Sequence, residues 1–97
     1  MSHNESLSAR RRHLDDLERR LKEKEAELSQ IGQASHYRKQ IDDMYAKARA
    51  MRQKLVQPGE TRWDAVKDEV ESDWEILSHS FERWVAHVDS EYGLRGA

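Results

Sequence analysis

One Pro-Gly step, Pro58-Gly59, divides this chain into two stretches of helical pattern of very unequal length. A proline cannot donate the interior hydrogen bond of a helix, and a glycine tolerates the backbone of a tight reversal. Apolar residues recur at helical spacing from Leu7 to Leu55 before the step and from Trp63 to Tyr92 after it. The pattern predicts an all-α, asymmetric antiparallel helical hairpin or coiled coil, with a long helix over about 5–56 and a shorter one over about 61–92. The long arm then overhangs the short one, and an overhang implies a partner.

At 97 residues the chain is at most one small domain, and chains of this size often need help to stay folded. Charged residues make up 37% and hydrophobic ones 36%, with four glycines and one proline, which favours a long-helix protein over an α/β domain. Disorder loses as an alternative because the apolar residues are periodic. A net charge of −2 argues against nucleic acid or an anionic membrane as the main partner. The chain has no cysteine, so a disulfide framework and a thiolate metal site are both excluded. No apolar run approaches a signal peptide or a membrane span, and a cytoplasmic location is the expectation.

Leu7, Leu14, Leu21 and Leu28 form a strict heptad, with Leu17 and Ile31 on the adjoining core row, the mark of a left-handed coiled-coil seam. The other members of that second row, Arg10 and Lys24, are charged. The stripe continues through Ala34, Tyr37, Ile41, Met44, Ala48, Met51 and Leu55, losing phase around Gly32 by a three-residue stammer. A single glycine without proline or Asn-Gly chemistry is a poor turn, so the reading is one continuous helix with a local distortion. A true turn there would instead give three helices. Ser2 with Glu5, and Thr61 with Asp64, have the spacing of capping boxes, and Gly93 is a natural helix stop before a frayed tail at 93–97.

Beyond the turn, Trp63, Val66, Val70, Trp74, Leu77, Phe81, Trp84, Val88 and Tyr92 share one face. With Ile41, Met44, Met51 and Leu55, those from Trp63 to Val88 form the expected hairpin core, between arms at 34–56 and 61–92. Charge agrees: residues 28–58 carry six basic and two acidic side chains, and residues 59–97 carry ten acidic and four basic. Counting back from the turn, the short arm reaches only to about residue 25, so on the overhanging arm at 5–31 Leu7, Leu14, Leu17 and Leu21 have no cover of their own. Leu7, Leu14, Leu17, Leu21, Leu28 and Ile31 are therefore the expected seam for self-association or for a partner. A homodimer is the simplest solution, antiparallel because a parallel one would set Arg10 against Arg10 and Lys24 against Lys24. Val85 and Ile76 widen the short arm's stripe on either side, which a dimer forming a local four-helix bundle would cover.

The arm YRKQIDDMYAKARAMRQKL, followed by Trp63-Asp64, Val70-Glu71, Asp73-Trp74-Glu75 and Phe81, resembles the bacterial Sll-type stress response family of coiled-coil proteins over residues 37 to about 88. The chain departs from it with His79, Trp84, His87 and the Pro-Gly turn. The resemblance implies a soluble bacterial helical hairpin and no catalytic residue.

Candidate chemistry is sparse. No Glu-x-x-His pair exists, because the residues three before His13, His36, His79 and His87 are Arg10, Gln33, Ile76 and Trp84. No metal or other cofactor is expected, although a pH-sensitive contact at His79 or His87 fits the residue type. The run Arg10-Arg11-Arg12-His13 is followed at once by Asp15, Asp16 and Glu18 and reads as a solvated helix face, not a nucleic-acid patch. Phosphate loops, serine elbows and cysteine nucleophiles are lacking, so the chain does not read as an enzyme. The expectation is a coiled-coil assembly protein, stress-associated or scaffolding, acting by self-association and protein binding. The alternatives are an adaptor docking a different protein through the leucine seam and an amphipathic lipid-surface binder, which lacks a lysine-rich girdle.

Overall fold

Among the described residues three helices form, not two. The computed structural model describes residues 3–55 and 60–93, with side chains from 7–55 and 63–93. Helix α1 spans His3–Gln30, α2 spans Arg38–Leu55 and α3 spans Glu60–Tyr92. The Pro58-Gly59 step falls outside the described residues, as do Ser2 and the side chains of Glu5 and Thr61 in the two capping boxes. Gly93, with φ +66°, ends α3 as its position suggested.

The continuous helix over 5–56 is corrected at Gly32. This glycine takes φ +74°, and two backbone bonds close the end of α1 around it: Gly32 N–H donates to Ser29 O (3.1 Å) and Gln33 N–H to Leu28 O (2.7 Å). That pair is the Schellman arrangement, in which a left-handed residue just past the helix satisfies carbonyls the helix leaves open. Two tight turns follow, Tyr37 N–H to Ala34 O and Arg38 N–H to Ser35 O, before α2 begins. The steps of three that read as a stammer coincide with this corner. A straight helix over 5–56 would be about 78 Å long, whereas the molecule measures 47 × 24 × 17 Å.

The corner folds α1 back along the other two helices. Arg10, Arg20 and Lys24 meet Glu71, Glu82 and Asp89 in ascending order, so α1 runs parallel to α3. Arg11 meets Leu55 and Glu25 meets Tyr45, so α1 runs antiparallel to α2. Leu14, Leu21 and Leu28 are wholly buried, and Leu7 and Leu17 nearly so. They join Ile41, Met44, Ala48, Met51 and Leu55 of α2 and Trp63, Val70, Leu77, Phe81 and Val88 of α3 in one core. Each large buried side chain contributes roughly 1.5–3 kcal/mol. Val66, Trp74 and Trp84, expected in that core, pack against it half-buried. The arm does not overhang: its leucine row is the third wall of its own bundle.

Candidate functional site

Charged residues in the α1 stripe explain how the third wall is sealed. Arg10 and Lys24, on the second core row, find carboxylates on α3 of their own chain. Arg10 is ion-paired with Glu71, and its guanidinium lies 5.3 Å from the Trp74 ring centre. Lys24 is 8% exposed and its Nζ donates to Asp89 and Glu27, both at 2.7 Å. Burial opposes the Lys24 charge, but those two hydrogen bonds and the field of both carboxylates outweigh it and raise the pKa. Arg11 caps the carbonyl of Leu55 at the end of α2, where the helix leaves acceptors open. The basic run that read as a solvated face is therefore split: Arg10 and Arg11 turn inward, while Arg12 is exposed. His13 stacks on Trp74 at 5.8 Å.

The expected pairing of a basic arm with an acidic one holds in part. Lys54 of α2 bridges Glu69 and Asp73 of α3. Arg52 and Arg38 turn to α1 instead, binding Asp15 with Glu18, and Glu25, respectively. Its hydrogen bond to Glu18, then that to Asp15, raises the Arg52 pKa. The tyrosines join this network. A hydrogen bond with Tyr92, then burial, pushes the Tyr37 hydroxyl up to about 12, while burial, then a bond to Glu25, does the same for Tyr45.

Among the described residues, two large hydrophobic side chains are exposed: Ile31 at 41% and Ile76 at 59%. Ile31 was the last member of the predicted seam, and the corner leaves it outside. Ile76 lies in a groove of about 220 Å³ between α2 and α3, with Ala50, Met51 and Leu77 as apolar floor and Lys47 and Asp73 as lips. The grooves that α1 makes are different in kind, being crossed by Lys24–Asp89 and Arg20–Glu82 on one side and by Arg52 with Asp15 and Glu18 on the other. Their charges are spent on holding α1. The α2–α3 groove is mainly apolar, and the charges at its edges, Lys47 paired with Asp43 and Asp73 paired with Lys54, do not cross it to α1. Sequence periodicity had placed Ile76 at the edge of the α3 stripe, and that was the signal for it.

His79 and His87 are both exposed on α3. Among the described residues no group of three or more histidines and carboxylates is arranged to hold a metal ion, and no helix is long and apolar enough to cross a membrane. No protein-family model, curated protein or solved structure matches the chain.

Proposed function

We propose that this three-helix protein is a non-enzymatic assembly module that pairs with a second copy of itself across the α2–α3 groove. The supporting observation is Ile76, 59% exposed in a groove with Ala50, Met51 and Leu77, on the flank that α1 does not cover. A second copy fits the edges as well as the floor. Lys47 on one lip and Asp73 on the other already pair with Asp43 and Lys54, and a two-fold mate about an axis along the groove adds the opposite charge across from each. The α2–α3 pairs of both copies then form a four-helix layer, with α1 of each on the outside. The six residues lining the groove are few against the roughly 20–30 per side of a standard interface, which makes the association weak and reversible. A stress-associated role in a bacterial cytoplasm belongs to the same proposal and rests on the sequence resemblance.

Light scattering across protein concentration tests the pairing. The native chain passes from monomer to dimer as concentration rises, and Ile76→Glu stays monomeric with its helix content unchanged. A native chain that remains monomeric throughout, or an Ile76→Glu dimer, overturns it.

A further inference from the structure

We infer that residues 31–37 are an exchange hinge: when the corner opens, α1 and α2 join into one helix, and α1 of each copy lays its leucine row on α2 and α3 of another. Three independent features of the corner carry this. First, the helical apolar spacing runs through it without interruption, Leu28, Ile31, Ala34, Tyr37, Ile41, although the backbone there is not helical. Second, its backbone bonds are all local. Gly32 bonds to Ser29, Gln33 to Leu28, Tyr37 to Ala34 and Arg38 to Ser35, and a straight helix would supply each donor with another carbonyl. Third, the corner leaves its own apolar residue uncovered, Ile31 at 41% exposure.

Register gives the exchanged form a definite geometry. Within the chain, α1 and α2 pair antiparallel, Arg11 with Leu55, Arg52 with Asp15 and Glu18, and Tyr45 with Glu25. These pairs mirror one another about a point near Ala34. Two straightened chains that keep the same pairs between copies therefore cross antiparallel with their hinges on the two-fold axis. Ile31 and Ala34 of both copies meet there, and Ile31 gains the cover it lacks in the closed form. Every α1 contact with α2 and α3 recurs between copies, including Arg10–Glu71 and Lys24–Asp89, so exchange sacrifices little. The specific loss is small: the Tyr92 hydroxyl bond to Gln33, at 3.4 Å.

Gly32 holds the balance. A Cβ built there meets nothing within 4 Å, so alanine acts only through the backbone. At φ +74° an L residue disfavours the closed corner by roughly five- to thirty-fold, and alanine also favours the straight helix over glycine. With two hinges per dimer, Gly32→Ala strengthens association on the order of a hundredfold or more. Ser35→Pro acts in the opposite sense. Among the described backbone bonds of the corner, none is donated by Ser35, whereas a proline inside the straight helix disfavours it by roughly a hundredfold per copy.

The experiment is run on Ile76→Glu protein, so that pairing through the α2–α3 groove, whether or not it occurs, does not enter. The chain has no cysteine, and Arg20→Cys with Glu82→Cys places one thiol on α1 and one on α3 at an exposed contact. A short bis-maleimide then joins α1 and α3 within a chain if closed and between chains if exchanged. Expected are a Gly32→Ala dimer by light scattering, covalent dimers on a denaturing gel, and return to monomer when Ser35→Pro is added. The inference is overturned by a Gly32→Ala monomer, by a dimer whose links are intramolecular, or by one that Ser35→Pro leaves intact. Loss of helix content in Gly32→Ala also overturns it, since exchange conserves every helix.

Discussion

The two flanks of α3 began alike and ended differently. Val85 and Ile76 border opposite edges of one apolar stripe, yet Val85 is half-buried against the core and Ile76 is 59% exposed. The difference is α1. Turned back at Gly32, it covers the Val85 flank and seals its own edges with Arg10–Glu71, Arg20–Glu82 and Lys24–Asp89. The surplus apolar length that seemed to demand a second chain is consumed inside the first. What remains uncovered is narrower, one isoleucine over a floor of alanine, methionine and leucine, and its edges are charged.

The largest effect separates the flanks by stability. Leu21 is wholly buried, so Leu21→Ala costs about 2–5 kcal/mol from lost transfer energy and the cavity left behind. Ile76→Ala at low protein concentration changes stability by no more than about 0.5 kcal/mol, as at other exposed sites. Urea unfolding monitored by circular dichroism measures both. Near-equal values would mean that α1 is not docked, and that the two flanks are equivalent after all.

A second effect comes from alkaline pH, which acts on the tyrosines that tie the helices together. Tyr37 and Tyr45 have folded pKa values raised to about 12 from the ordinary 10. The folded state therefore holds these protons more tightly than the unfolded chain does. Their contribution is complete below pH 10 and is lost as pH climbs through about 12. Lys24 and Lys54, also raised, act with the same sign in the same direction of pH. The expected loss is on the order of 2 kcal/mol across that window. Tyrosinate absorbance checks the titration, and Tyr37→Phe with Tyr45→Phe removes most of the slope. A slope unchanged in the double variant would assign the loss elsewhere.

Much of this fold was legible from spacing alone. The helical class, the leucine row and the α3 face were readable because burial in helices leaves a period, and Trp63, Val70, Leu77, Phe81 and Val88 are buried as that period requires. Gly93 was recognised as a helix stop, but Gly32 was not, although both take the same left-handed conformation. The reason is physical. A Schellman end uses backbone bonds to Ser29 and Leu28, so apart from the glycine it leaves no required residue in the sequence. With apolar residues continuing on both sides, the straight and bent forms share one pattern. The groove at Ile76 was half legible: its apolar edge was visible on α3, but which flank stays open depends on where α1 lands. Arg10 and Lys24 misled for a related reason. A cation on a core row signals a carboxylate partner without saying which helix carries it.

The finest comparison sets one cross-helix ion pair against another on the same face. Lys24–Asp89 and Arg20–Glu82 both join α1 to α3, at 2.7 and 2.6 Å, so geometry does not distinguish them. Exposure does. The Lys24 and Asp89 side chains are 9% and 23% exposed, against 40% and 56% for Arg20 and Glu82. Water screens the second pair and hardly reaches the first, so double-mutant cycles should give about 1 kcal/mol of coupling for Lys24 with Asp89 and about 0.2–0.5 kcal/mol for Arg20 with Glu82. Lys24→Met with Asp89→Asn, and Arg20→Gln with Glu82→Gln, supply the two cycles by urea unfolding. The single Lys24→Met variant carries further information. Removing a buried cation relieves its desolvation, but it leaves Asp89 and Glu27 facing a methyl group. Because Asp89 keeps some access to water, the net destabilisation stays near 1 kcal/mol, below the roughly 3–5 kcal/mol of a fully buried orphan charge. A Lys24→Met protein more stable than the native one would show that the lysine specifies where α1 docks at the expense of stability. Equal coupling in the two cycles would remove burial as the distinction between them.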